Sequence, residues 1–372
     1  MKVLFIGPLP EPTTGQSLAC QVLLDALRQR HEVEVVNLSK NTFRQGVSSP
    51  RRVAEVGAIL REVRRASPAD VVYLTIAESI AGNLKDLAIY VVCRHRLRRL
   101  VTHLHGGAGI RRILLGRRHP LRRANEHFMR RLGGVIVLGS RQVDLYSHLV
   151  APDRLHVVPN FAQDALFIPV DAIDTKFAEA RPLRVLFLSN LLPGKGYLEL
   201  LDAFERLSPA TQSLIRLDFA GGFESPADES RFLQRILHFP GVTYHGTVRG
   251  DAKRALFQQA HVFCLPTYYA YEGQPISILE SYAAGCAVIT TNHSGIGDIF
   301  TADANGIEVE ARSVTSLQGA LERAVQGVDT LHAMARANRA EAEACYRTDS
   351  HTDRLVAILE STAARARREE AR

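Results

Sequence analysis

Short apolar runs alternate with amphipathic stretches along the first half of the chain. Val3–Ile6, Val33–Val36, Val71–Ile76, Val101–Leu104, Val135–Leu138 and His156–Val158 are brief, rich in β-branched residues and flanked by turn formers, the pattern of buried strands. Ser17–Arg28 and Arg51–Arg65 lie between them with the spacing of amphipathic helices. Such alternation predicts parallel strands joined by right-handed crossovers. The rhythm breaks at 166–182, where Pro169 and Pro182 bracket a polar stretch carrying Asp171, Asp174 and Lys176. It then restarts, with strands expected at Val185–Leu188, Arg216–Ala220, Val242–Tyr244, Val262–Leu265 and Ala287–Thr290, and a weaker one at Ile307–Val309. Residues 313–344 and 350–368, rich in Ala, Arg and Glu, read as closing helices.

The expected fold class is therefore α/β, with two doubly wound parallel-sheet domains in tandem. A length of 372 residues agrees, because one core rarely grows past roughly 250–300 residues. The domain expectation is 1–165, a linker at 166–182, a second domain at 183–345, and a C-terminal helix at 346–372 that packs back toward the first domain. Ligands of such sheets bind outside the carboxyl ends of the strands. Two facing sheets would place the site in the cleft between them.

The composition is that of a globular protein, with 46% hydrophobic and 23% charged residues. Five cysteines, none spaced C-x-x-C, argue against a disulfide framework or a zinc site and for reduced thiols in a cytosol. No signal-peptide pattern follows Met1, and no apolar run reaches the 18 residues of a membrane span. The expected location is cytoplasmic. The net charge of +7 is uneven: residues 1–165 hold 25 Lys/Arg against 13 Asp/Glu, or +12, and the remainder is at −5. Halves so different are expected to meet different partners.

The most informative segment is Pro266 to Cys286, PTYYAYEGQPISILESYAAGC. It follows a predicted strand and opens a helix. Pro275 suits the first helical turn, and Gly273 permits close approach of a ligand to the backbone. Amides and dipole at a helix start attract phosphate or sugar hydroxyls. Glu272 stands just before the helix and Glu280 inside it, and a carboxylate can accept from two neighbouring hydroxyls, such as a ribose diol or a pyranose edge.

At these residues the chain resembles the retaining GT-B glycosyltransferases, and in particular glycosyltransferase family 4. Their E-x7-E signature stands here as Glu272-Gly273-Gln274-Pro275-Ile276-Ser277-Ile278-Leu279-Glu280, followed by the small residues Ala283, Ala284 and Gly285. The resemblance implies that Glu272 and the backbone of Gly273, Gln274, Pro275 and Ile276 hold the donor sugar, while Glu280 holds the ribose. It covers nearly the whole chain and is stronger in the second half. The alternative for the pair is a helix-start acid and a surface glutamate.

Ser189 to Gly196, SNLLPGKG, parallels the family pattern G-R-L-x-x-x-K-G. Lys195 and Gly196 match, and the resemblance makes them diphosphate ligands. Asn190 stands where the family has Arg and Ser189 where it has the first Gly, so diphosphate neutralisation is either weaker in this copy or supplied by another arginine. VTHLHGGAG, residues 101–109, places His105 at a strand's carboxyl end before a Gly-rich turn. A histidine there can donate to a reacting sugar or move a proton. The resemblance gives it a catalytic-site role, against a structural role for a lone histidine. His103 is expected on the opposite face, and Arg111 and Arg112 follow closely, either to meet a phosphate or as part of a basic face. The first turn, Gly7 to Ser17, has Gly15 just before a helix, either a phosphate contact or a plain loop. Val158-Pro159-Asn160, Tyr244-His245-Gly246-Thr247 and Gly295-Ile296-Gly297-Asp298 are smaller matches, of which Thr247 lies at the strand end that the family uses for the nucleobase.

Residues 94–131 hold twelve arginines, Arg94, Arg96, Arg98, Arg99, Arg111, Arg112, Arg117, Arg118, Arg122, Arg123, Arg130 and Arg131, opposed within the segment only by Glu126. This face fits an anionic membrane surface or is a solvated helix face. No nucleic-acid motif accompanies it. No D-x-D follows a predicted strand, so no metal site is expected, and the resemblance implies metal-independent, retaining transfer. The expected partners are a nucleoside-diphosphate sugar, most simply a UDP- or GDP-sugar, and a glycan or lipid-linked acceptor in cell-surface polysaccharide synthesis. No cofactor beyond the donor substrate is expected. An epimerase or phosphorylase of the same plan and a non-catalytic sugar-binding adaptor are the alternatives. A nicotinamide oxidoreductase would need G-x-G-x-x-G after the first strand, which Gly7 and Gly15 do not supply.

Overall fold

The computed structural model describes residues 1–11, 13–39, 50–116 and 120–371. They form two compact units: Met1–Asn160 with Asp349–Arg372, and Phe161–Thr348. In unit 1 the strands are β1 (Lys2–Gly7), β2 (Glu32–Asn37), β3 (Val71–Ile76), β4 (Leu100–Leu104), β5 (Gly134–Val137) and β6 (Leu155–Val157). They are all parallel and ordered β2-β1-β3-β4-β5-β6, so the order reverses between β1 and β3. Alternate residues serve opposite faces. Val3 and Phe5 of β1 pack into one core with Val71, Tyr73, Val101 and Ile136, while Leu4 and Ile6 join Val72, Leu74 and Val135 in another. Both faces are buried, which is why the central strands read as unbroken apolar runs. Helices α1 (Gly15–Arg30), α2 (Pro50–Arg65), α3 (Ile80–Val92), α4 (Ala108–Leu115) and α5 (Arg122–Met129) follow the first strands.

Unit 2 repeats the plan with β7 (Leu183–Leu188), β8 (Ile215–Ala220), β9 (Val242–Tyr244), β10 (Val262–Leu265), β11 (Ala287–Thr290) and β12 (Gly306–Glu308). Its order is β12-β11-β10-β7-β8-β9, again all parallel, with the reversal between β7 and β10. Its helices are α6 (Val170–Ala178), α7 (Tyr197–Glu205), α8 (Pro209–Ser213), α9 (Pro226–Ile236), α10 (Gly250–Gln259), α11 (Ile276–Ala283), α12 (Val314–Gln326) and α13 (Val328–Cys345). The single helix expected over 313–344 is two, separated at Gly327.

The stretch 166–182, expected as a linker, is folded into unit 2. Ile173 and Phe177 of α6, four residues apart on one face, are buried in its core. The Lys176 ammonium donates to the carbonyls of Ala260 and Ala284, each at 2.8 Å, where α10 and α11 end. Such a cation satisfies last-turn carbonyls and favours the negative end of the helix dipole. Phe167 lies under the guanidinium groups of Arg339 and Arg347, 4.9 and 3.8 Å from its ring centre. The unit boundary falls instead at Asn160/Phe161.

The last helix, α14 (Thr348–Glu370), packs in unit 1: Leu355, Val356, Leu359 and Ala363 join Val3, Phe5, Leu23 and Tyr73 in one core. Leu359 is fully buried. Leu359→Ala is expected to destabilise unit 1 by about 2–5 kcal/mol through lost burial and the cavity left behind. Urea denaturation of the full chain checks this as an earlier unfolding midpoint.

Candidate functional site

The reversal point of each sheet is where two neighbouring strands send their following loops apart, opening a crevice at their carboxyl ends. In unit 2 those strands are β7 and β10, which pair directly at Val185–Val262 and Leu186–Phe263. The loop after β7 carries Lys195 and the loop after β10 carries Glu272. The structure brings the two together: Lys195 Nζ lies 2.7 Å from Glu272 Oε2, with side-chain exposures of 13% and 8%. Thr267 Oγ1 donates to the same oxygen at 2.9 Å, and Tyr268 N donates to the Gly194 carbonyl at 2.7 Å, tying one loop to the other. Lys195 also sits 5.0 Å from the centre of the Tyr269 ring. Glu272 Oε1 has no hydrogen-bond partner among the described residues.

Two glycines make the lysine loop possible. Gly194 and Gly196 have φ of +91° and +85°, a region that side chains other than hydrogen rarely occupy. A Cβ on Gly196 would stand 2.5 Å from the Pro266 carbonyl oxygen. Gly196 is therefore fixed both by backbone conformation and by close approach of the β10 loop. Asn190 is exposed, and its side chain makes no hydrogen bond among the described residues.

The loop of Glu272 runs into α11 through Gly273, Gln274 and Pro275, all buried. Pro275 is the residue before the helix rather than in its first turn, with Ile276 as the first helical residue. The amides of Gly273 and Ile276 donate to no protein acceptor among the described residues. Ser294 Oγ donates to the Glu272 carbonyl at 2.6 Å and Gly295 N to the Gly273 carbonyl at 3.2 Å. The partial match at Gly295–Asp298 thus braces this loop from the end of β11.

Glu280 is not a surface glutamate. It is 1% exposed, inside a helix whose residues are almost all buried. Burial pushes its carboxyl above the ordinary value, while the Lys253 ammonium, 2.5 Å from Oε1, pulls the other way. Lys253 in turn donates to Gln163 Oε1 at 3.0 Å. Thr247 is exposed after β9, and its hydroxyl lies 3.1 Å from where a Cβ on Gly222 would stand.

Unit 1 holds the other two expected residues, His105 and Gly15. Gly15 opens α1 behind Thr14, whose hydroxyl accepts from Ser17 N at 3.1 Å while Ser17 Oγ accepts from Thr14 N at 2.8 Å. This is a capping box. His105 follows β4 directly and is partly exposed. The expectation that His103 faces the other way is wrong: residues two apart on a strand share a face. The two rings lie 4.0 Å apart, and Tyr73 Oη is 2.8 Å from His103 Nδ1. Burial, and the nearby His351 of α14, hold His105 neutral with a pKa lowered to about 3. His105 can therefore donate or accept a hydrogen bond but brings no charge at neutral pH.

Sequence reasoning missed Glu78, which explains the Gly-rich turn. Its carboxylate accepts from Gly107 N at 2.8 Å and Gly109 N at 3.2 Å, and a Cβ on Gly106 would collide with it. The glycines make room for an internal carboxylate at the start of α4. Lys253, Gln163 and Thr267 were also missed. Thr267 sits in a recognisable Pro-Thr step at a strand end, whereas Lys253 and Gln163 carry no pattern in the sequence.

The arginine cluster is less one-sided than its segment suggests. Arg111 pairs with Asp144 at 3.0 Å and donates to the Arg141 carbonyl, so it is not an open phosphate ligand. Arg99 is paired with Glu370, and Arg98 lies 3.9 Å from Glu369, both acids coming from α14. Arg122 is paired with Glu126. Arg117 and Arg118 lie outside the described residues. Unit 1 still carries +13 and unit 2 −6. Among the described residues no helix is long and apolar enough to cross a membrane.

Known proteins resemble this chain in one domain and in fold. Residues 171–341 match the family model Glycosyl transferases group 1, so unit 2 carries that domain. A GDP-mannose-dependent alpha-(1-6)-phosphatidylinositol monomannoside mannosyltransferase of Mycobacterium tuberculosis is 29% identical over 184 residues, 47% of this chain. The chain spans about half that relative's length, 46%. Anabaena HepE in complex with UDP aligns over 97% of this chain and 100% of its own, with a TM-score of 0.69 and 16% identity. WaaG, a glycosyltransferase involved in lipopolysaccharide biosynthesis, aligns over 94% and 98%, with a TM-score of 0.67 and 18% identity. These likenesses show the fold: two six-stranded parallel α/β sheets matching GT-B glycosyltransferase structures.

Neutral imidazoles also have a consequence for stability. His103, His105 and His351 are all held below the ordinary value of 6.5 by burial, His351 to about 4. Below pH 6.5 the unfolded chain binds protons at these sites that the folded unit does not, so stability falls as pH falls. The loss runs at up to about 1.4 kcal/mol per pH unit for each group. Urea denaturation between pH 7.5 and 4.5 should show this slope, reduced in His351→Gln.

Proposed function

We propose that this chain is a glycosyltransferase that moves a sugar from a nucleoside-diphosphate donor to a glycan or lipid-linked acceptor. The observation that carries the reading is the convergence of Lys195 and Glu272 at the reversal point of unit 2, beside the unfilled amides of Gly273 and Ile276. A donor brings a diphosphate for the ammonium and sugar hydroxyls for the carboxylate. Lys195 exchanges Glu272 Oε2 for phosphate oxygen, and Glu272, with Oε1 already open, accepts from the sugar. Glu280 accepts from the ribose diol. The domain match and the donor in the mycobacterial relative's name support the class. The donor base is uracil or guanine.

The transfer proceeds with retention and without a metal ion. The bond between the anomeric carbon and the β-phosphate oxygen breaks, and the acceptor oxygen enters from the same face. Its proton passes to the leaving diphosphate. Lys195 and the helix-start amides stabilise the charge that develops on that leaving group, placed there before the reaction. Neutral His105, at the end of β4 in unit 1, can donate to or accept from a hydroxyl without bringing charge.

A lipid-linked acceptor calls for a membrane surface, and unit 1 has a face that suits one. Ile80, Leu84 and Val91 of α3, spaced to share one side of the helix, are 60%, 51% and 47% exposed. Arg94 and Arg96 follow α3 directly, and Arg123 and Arg130 of the same unit are exposed. An apolar strip with basic neighbours fits the anionic inner leaflet, at about 1 kcal/mol per cation near the surface. The protein is then cytoplasmic and peripheral.

Two measurements test these statements. Glu280→Ala should weaken UDP or GDP binding by about 10- to 100-fold in a titration run in EDTA, the loss of hydrogen bonds to a charged acceptor. Unchanged affinity would refute the ribose role. In co-sedimentation at low salt the protein should pellet with anionic vesicles and not with neutral ones, and Leu84→Asp should stay in the supernatant. Equal recovery with both vesicle types would refute membrane docking.

A further inference from the structure

The family signature as it stands in this sequence has no place for Lys253, yet this lysine is the partner of the second signature glutamate. It lies in the first turn of α10, where a cation opposes the helix dipole; along the helix its ammonium lies 5.9 Å from the centre of the Phe257 ring. Its position is explained by what its ammonium touches. Nζ lies 2.5 Å from Glu280 Oε1 and 3.0 Å from Gln163 Oε1, and the pair has side-chain exposures of 15% and 2%. Only one carboxylate oxygen is used: Glu280 Oε2 has no hydrogen-bond partner among the described residues.

A carboxylate buried this deeply without a cation takes up a proton rather than stay charged. A protonated carboxyl is a poor acceptor for a diol, because one of its oxygens has become a donor. The charges near the pair are few. Lys253 faces Glu280 from α10, and Gln163 is neutral. Asp164, next to Gln163, is turned to Arg347 at 3.3 Å. Tyr282 of α11 donates to the Ile299 carbonyl. Arg249 and Asp251 flank the start of α10 and are exposed.

We propose that Lys253 is a positioning residue for donor recognition: it holds one oxygen of Glu280 and its negative charge, leaving the other oxygen to accept from the donor's ribose diol. Gln163 fixes the ammonium from the other side. This rests on the donor-site reading above and extends it to a residue pair that the signature does not contain. Lys253 acts through Glu280 and does not itself touch the sugar.

The test compares UDP or GDP, whichever binds the full chain more tightly, with its 2′-deoxy form, by titration calorimetry from pH 6 to pH 9. The ratio of the two dissociation constants reads the diol contact and cancels the titration of the phosphates. In the wild type the ratio should be about tenfold or more and flat with pH. In Lys253→Met it should fall to about one at pH 6 and recover toward pH 9, where Glu280 ionises unaided. Lys253→Arg should keep the wild-type ratio, and Gln163→Ala should lower it in the same direction as Lys253→Met.

A wild-type ratio retained by Lys253→Met at every pH would overturn the positioning role alone. Should Lys253→Met fail to fold, an unchanged ratio in Gln163→Ala together with a lost one in Lys253→Arg would overturn it as well. A wild type that binds neither nucleotide, or binds the ribo and deoxy forms equally, would overturn the donor-site reading and this role with it.

Discussion

The Lys195–Glu272 ion pair is the constraint on which the site in unit 2 depends. Two opposite charges at 2.7 Å, both nearly buried, stand at the point where β7 and β10 send their loops apart. Removing either partner would leave a charge with little water around it, a change that commonly costs several kcal/mol. The pair therefore dictates how the two loops meet. Gly196 must be glycine because Pro266 comes so close, Tyr268 is tied to Gly194, and Thr267 holds the same carboxylate oxygen. The end of β11 adds Ser294 and Gly295 behind the Glu272 backbone. Three strand ends thus orient one carboxylate.

Unit 1 uses the same region of its sheet differently. Its strand ends carry neutral rings and an internal carboxylate rather than an ion pair. Glu78 fills the start of α4, and the glycines after His105 accommodate it. His103 and Tyr73 form a buried polar pair, with the partly exposed His105 ring against His103. The excess positive charge of the unit lies outside this core, on α5 and around the end of α3. It is partly balanced by Glu369 and Glu370 of α14.

Much of the fold could be read from the chain. All twelve expected strands are present, and Val71–Ile76, Val242–Tyr244, Val262–Leu265 and Ala287–Thr290 have the expected bounds. Short β-branched runs buried on both faces leave little ambiguity. The linker was misread because Pro169, Pro182 and three charged residues outweighed Ile173 and Phe177, whose burial depends on partners more than a hundred residues away. Gly327 divided a helix whose apolar spacing ran on through it. His103 shares a face with His105 because strand alternation has a period of two.

The sequence by itself determined the two α/β sheets, the glutamates at 272 and 280, and the lysine between two glycines. These follow from local periodicity and from spacing within one segment, which neighbours in the chain set. The tertiary structure decided what each of those groups faces. It put Lys195 on Glu272 across 77 residues, Lys253 on Glu280 across 27, and acids of α14 on Arg98 and Arg99, far from them in the chain. Ion pairs of this kind form where strand order brings distant loops together, and strand order is a property of the packed sheet that no local pattern encodes.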